Sequence, residues 1–170
     1  MSFPSDNSEK VLGVLLLRKP KSLGRYDTFA AVLTTERMIF AQVTSIMLKE
    51  AIEKAKREAK AEGKGFLEQW TAQLRASLSY VNKYLLMKPS QILAETPGNF
   101  DIKNDEIGRI KLRLSKWENV NEFEVEVHSP SGKLNFRMDE NVDNVKLLKQ
   151  VYGDRVKLPL GYSISGLKLG

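Results

Sequence analysis

The chain of 170 residues contains no cysteine. That excludes disulfide stapling, thiolate catalysis and cysteine-ligated metal, and it suits a reducing, cytoplasmic setting. There is one histidine, His128. With a single imidazole and no thiol, a zinc cluster or a His-based triad lacks parts, so His128 reads as structural. No Asn-x-Ser/Thr acceptor occurs, in line with an intracellular protein. The longest apolar run, VLGVLLL at Val11–Leu17, has seven residues, where a membrane-spanning helix needs about 20. The opening MSFPSDNSEK is polar and lacks the basic-then-apolar order of a secretory leader. GKG at Gly63–Gly65 is not a phosphate-binding loop, and no dinucleotide fingerprint is present. These gaps predict a soluble chain that is not an enzyme, with no catalytic residues, no metal and no cofactor.

What is present is ordinary for a folded domain. At 42% hydrophobic and 28% charged, the chain can bury a core. Its length fits one domain, or one domain with a large insertion. The net charge of +6 is uneven. Residues 1–88 hold 15 Lys/Arg and 9 Asp/Glu, a balance of +6, while residues 89–170 hold 12 of each and balance to zero.

Apolar periodicity divides the chain. Val11–Lys19 reads as a strand, Pro20–Asp27 as a loop, and Thr28–Thr34 and Arg37–Val43 as two strands joined by a short turn. From Thr44 to Glu62 the period changes. Met47, Ala51, Ala55 and Ala59 recur every four residues among Lys and Glu, which predicts an amphipathic helix stopped at Gly63. A second helix is predicted from about Phe66 to Met87, so that the two form an antiparallel hairpin. Pro89–Glu95 reads as one helical turn, Phe100–Lys103 as a short strand, and Ile107–Ser115 as a long one.

The next strands carry their own register. Ile110, Leu112 and Leu114 share one face, as do Phe123, Val125 and Val127, and Leu134, Phe136 and Met138. A four-residue loop, Lys116–Asn119, predicts Arg109 opposite Glu126, Lys111 opposite Glu124 and Arg113 opposite Glu122. The turn Ser129–Gly132 predicts His128 opposite Lys133, Val127 opposite Leu134 and Val125 opposite Phe136. A terminal helix follows. Asp139 or Asn141 would cap it, Val142, Val145, Leu148 and Tyr152 would be buried, and Gly153 would end it. The tail from Asp154, with Pro159 and three glycines, is expected to be loosely ordered or draped on the surface.

The predicted class is α+β: seven antiparallel strands in a barrel or sandwich with a C-terminal helix, and a helical hairpin inserted after the third strand. In domain terms, residues 1–43 and 89–153 form one discontinuous domain, 44–88 the insert and 154–170 the tail. This order resembles the pleckstrin-homology-like superfamily. VLTTERMIF at Val32–Phe40 is similar to the Leu-Thr-x-x-Arg strand pair of its bacterial PH-like and GRAM-type branch. FDIKNDEIGRIKLR at Phe100–Arg113 is similar to the segment that enters the fifth strand. The resemblance covers roughly residues 9–43 and 98–153. The terminal helix lacks the Trp usual in eukaryotic members, which favours the bacterial branch.

Two kinds of site follow. The resemblance implies that the loop after the first strand holds anionic headgroups, and here RKPKSLGR supplies Arg18, Lys19, Lys21 and Arg25. The family pattern asks for Arg-x-Arg next, whereas RYD places Asp27 there, where it would repel a phosphate. The insert carries apolar side chains beyond its own stripe, Phe66, Tyr80 and Tyr84, which pack on the barrel or, with Trp70 of the stripe, face a protein partner or a second copy. Its cations, among them Lys54, Lys56, Arg57 and Lys60, alternate with glutamates and read as a solvated face, which ranks nucleic acid last. Arg109, Lys111 and Arg113 are expected to be cancelled by their opposing glutamates. The leading expectation is protein–protein binding or self-assembly; the rival is peripheral binding of anionic lipid headgroups or another phosphate-bearing ligand.

Overall fold

The computed structural model describes residues 8–63, 65, 80–117 and 120–162. Eight strands form one open, mostly antiparallel sheet: β1 Val11–Pro20, β2 Tyr26–Thr34, β3 Arg37–Val43, β4 Phe100–Lys103, β5 Arg109–Trp117, β6 Val120–Ser129, β7 Gly132–Asp139 and β8 Val156–Lys157. Their order across the sheet is β4-β3-β2-β1-β7-β6-β5-β8. The described α-helices are α1 Ser45–Ala61, α2 Pro89–Ala94 and α3 Val142–Tyr152.

Strand residues alternate between two faces, and every strand turns one face to a common core. Leu15 and Leu17, Phe29, Ala31 and Leu33, Met38 and Phe40, Ile110 and Leu112, Phe123 to Val127 at alternate positions, Phe136 and Met138 share one cluster with Val145, Leu148 and Tyr152 of α3. Phe40 stacks on Phe100 and on Phe136, with ring centroids 4.7 and 5.4 Å away. Gly13 lets α3 approach β1, because a Cβ there would lie 2.5 Å from Leu147 Cδ2. Asn141 caps α3 by accepting from the Asp143 amide at 2.8 Å, and Gly153, at φ 57°, ends it.

The Thr-x-x-Arg stretch locks the β2–β3 turn. Thr34 Oγ1 accepts from the amides of Glu36 and Arg37 and donates to Glu9 Oε2 at 2.6 Å. Arg37 donates to both oxygens of Glu9 and to Asp101 on β4. The Glu9 hydrogen bonds, reinforced by Asp101, hold the Arg37 guanidinium above its usual pKa against the effect of burial. Asn104, just past β4, bonds Thr34 O and receives the Tyr152 hydroxyl at 2.8 Å. Arg155 donates to the carbonyls of Asn104 and Ile107. Burial pushes the Tyr152 phenol well above its ordinary value, with Arg155 pulling the other way.

Four expectations change. First, β5 and β6 pair two residues further along, Lys111 with Glu126 and Arg113 with Glu124, leaving Arg109 opposite His128. The strands run on to Trp117 and Val120, so only two residues connect them. An even shift keeps the apolar faces matched, which is why the pattern alone could not tell the registers apart. The β6–β7 register is as expected. Second, the segment returning from the insert is not α-helical at its end. Tyr80–Leu85 is a 3-10 helix followed by a bend. Val81, Tyr84 and Met87, three residues apart, all pack on the outer face of β2 and β3, and that spacing is the 3-10 period. Residues 66–79, the body of the second predicted helix, lie outside the described residues. Third, the tail is built in as far as Tyr162: β8 pairs parallel to β5, Val156 is buried, and Tyr162 packs edge-on to Phe123. Fourth, the strand count is eight rather than seven.

Helix α1 matches its expectation. Thr44 caps it by accepting from the Met47 amide at 3.1 Å, and Gly63 follows at φ 72°. Its less exposed side runs through Met47, Ala51, Ala55 and Ala59.

Candidate functional site

The β1–β2 connection is a tight turn. Lys21 N donates to Arg25 O at 2.7 Å, and Arg25 N donates to Ser22 O at 3.4 Å. Leu23 (φ 62°) and Gly24 (φ 71°) occupy its centre, both left-handed. Paired left-handed residues match the right-handed strand twist, and Asn-Gly or Gly-Gly is the usual pair. Leu23 is the only described non-glycine residue with positive φ. It is also 89% exposed. A left-handed leucine costs about 1–2 kcal/mol, and here no burial offsets it. Tyr26, at the start of β2, is 57% exposed.

Of the four cations predicted as an anion site, two are paired with acids. Arg18 lies on the outer face, 3.0 Å from Glu122 and 2.9 Å from Asp139, and leans over the Tyr26 ring. Burial works to lower its pKa, but the hydrogen bonds and charges of Asp139 and Glu122 more than reverse this, and the guanidinium is held above its usual value. Arg18 is thereby spent on the seam between β1 and β7, where it stands opposite Arg137. Lys21 pairs with Asp27 at 3.0 Å. Lys19 stands directly opposite the same Asp27 in the ladder. Arg25 and Lys19 are exposed. The tip, from Lys19 to Asp27, therefore carries three cations against one acid, a net +2.

The residues predicted to meet a partner fare differently. Tyr84 takes the first of its two expected places, on the barrel, and is not available to a partner: it is fully buried, and its hydroxyl donates to Glu95 at 2.6 Å, because the outer face of β2 and β3 is itself apolar and needs a cover. Phe66, Trp70 and the side chain of Tyr80 lie outside the described residues. Sequence reasoning missed other apolar positions near the foot of the insert: Ile46 is 68% and Leu86 92% exposed. Their signal was an apolar residue placed beside the predicted stripe rather than on it.

The outer face of β5, β6 and β7 is charged, with no described residue covering it, and several of its charges pair across the strands. Lys133 bonds Glu126 at 3.0 Å, and this hydrogen bond and charge hold the Glu126 carboxyl below its usual range. Arg137 pairs with Glu122. A shallow depression of about 230 Å³ there has Arg113, Arg137, Glu124 and Glu126 around it, so neither sign prevails. His128 Nε2 stops 4.0 Å from Glu126, too far for a hydrogen bond. Among the described residues no three His, Asp or Glu side chains are placed to hold a metal ion, and no helix is long and apolar enough to cross a membrane. No protein-family model matches the chain, and neither a curated protein nor a solved structure does.

Proposed function

We propose that this chain is a non-enzymatic module of PH-like architecture that docks on anionic membrane surfaces through the tip of its β1–β2 hairpin. The single observation carrying the reading is Leu23: an exposed leucine held in a strained left-handed turn, with exposed Lys19, Lys21 and Arg25 within four residues of it in the chain. In water that residue is a cost. At a bilayer it becomes an asset, since the apolar tip enters the headgroup boundary while the cations stay among phosphates. Strain without a packing reward points to use. The reading is supported by the order of the first seven strands, β4-β3-β2-β1-β7-β6-β5, with the short β8 added beyond β5, and by a helix that follows β7. Flotation with phosphatidylserine-containing vesicles tests it. Binding at low salt that weakens at raised salt, is absent with pure phosphatidylcholine, and falls on Leu23→Asn or on Lys19→Glu with Arg25→Glu supports it; no binding at low salt ends it.

A second reading keeps a protein partner, at the foot of the insert. Val43, where β3 ends, and Tyr84, where the chain returns to the sheet's outer face, belong to one buried cluster, and exposed Ile46 and Leu86 lie within three residues of them in the chain. Light scattering of the intact chain against an Ile46→Ser, Leu86→Ser variant tests self-association. Deleting the insert is unsuitable, because Tyr84 would leave with it.

A further inference from the structure

We infer that Asp27 is a built-in counter-anion that holds Lys21 in reserve, so that the hairpin tip engages densely anionic bilayers and passes over weakly anionic ones. The inference rests on the membrane reading above and concerns how that same site is set. Asp27 bonds Lys21 at 3.0 Å across the turn and stands opposite Lys19 in the β1–β2 ladder. One carboxylate thus sits between two of the three tip cations. The fourth cation of the loop, Arg18, is committed to Glu122 and Asp139 and takes no part. The Lys21–Asp27 pair is half in water, at 54% and 32% exposure, so it contributes little to stability. It is weak enough to exchange: a headgroup phosphate can replace the carboxylate on Lys21 Nζ. The exchange leaves Asp27 unpaired and close to the arriving anion, so it is favourable only where anionic headgroups are dense. The exposed Leu23 and Tyr26 commit the site to a bilayer rather than to a free phosphate, which would leave both in water.

Binding to mixed phosphatidylserine–phosphatidylcholine vesicles, titrated over the phosphatidylserine fraction, tests this. Asp27→Asn is expected to bind about fivefold tighter, the effect of one charge near an anionic surface, and to bind at lower phosphatidylserine content. Lys21→Met should cost little in the wild-type chain and clearly more in Asp27→Asn, because only there is Lys21 free. Equal costs in both backgrounds would mean that Asp27 acts as diffuse charge and not through Lys21, and would overturn the inference. So would Asp27→Asn binding no tighter than wild type while wild type floats, a result that leaves the membrane reading standing. If neither chain floats, both fall. If only Asp27→Asn floats, the wild-type chain fails the membrane test and both fall as well. Inorganic phosphate should compete no better than chloride at equal ionic strength; stronger competition would reject the bilayer as occupant.

Discussion

The two halves of the sheet are built alike inside and oppositely outside. On β2 and β3 both faces are apolar: Ala30, Val32, Ile39 and Ala41 point away from the main core, yet each is completely buried. The cover is the chain itself, with Tyr84 and Ile92 as the buried anchors. On β5, β6 and β7 the outer face is charged and no described residue covers it; its acids pair with cations of the same strands or with Arg18 of β1. The difference teaches that the insert is tied to the sheet for a structural reason. A strand with two apolar faces cannot stand at the surface, and the returning segment is what removes it from water.

Matched substitutions at outward positions give the largest contrast. Val32→Lys should destabilise by about 3–5 kcal/mol or prevent folding, because it buries an unpaired charge. Asn135→Lys, equally outward but on the bare half, should stay within about 0.5 kcal/mol. Urea unfolding of both variants checks this, and equal losses would erase the distinction. Next in size, Tyr84→Phe should cost about 1–2 kcal/mol, since it removes the donor that Glu95 accepts from; chemical denaturation reads it. Smaller and opposite in sign, Leu23→Asn should raise stability by up to about 1 kcal/mol, because Asn tolerates the left-handed turn, while it weakens vesicle binding. The smallest effect is acid-dependent. Its hydrogen bond and charge pairing with Lys133 hold the Glu126 carboxyl below its ordinary value, so its contribution is present above the ordinary carboxylate range and is lost as pH falls through the folded value. Melting temperatures across the acid range should fall less steeply in Glu126→Gln, and the difference should shrink in raised salt.

This contrast was largely legible in the residues. Alternation in GRIKLRLS and EFEVEVH announces one wet face, and the near-continuous apolar run FAAVLT announces two dry ones. The β6–β7 register followed from a short turn between matched faces. The β5–β6 register did not, because a shift of two residues preserves every apolar match and still pairs Lys111 and Arg113 with glutamates. The 3-10 form of Tyr80–Leu85 was missed for a related reason: a period of three over Val81, Tyr84 and Met87 passes for a helix of period 3.6 within two turns. At the tip, the four cations were visible, but their partners were not. Glu122 and Asp139 lie more than 100 residues from Arg18 in the chain, and only the β1–β7 seam brings them together. The left-handed Leu23 had no sequence signal beyond the glycine that follows it.

The most direct measurement compares the tip with the bare face in one sample. Spin-labelled lipid in phosphatidylserine vesicles broadens the amide resonances of residues that approach the bilayer. The account predicts loss of the Ser22–Tyr26 amides with Arg109–Arg113 and Glu122–Glu126 left sharp. Broadening centred on β5 and β6, with the hairpin tip untouched, would contradict it.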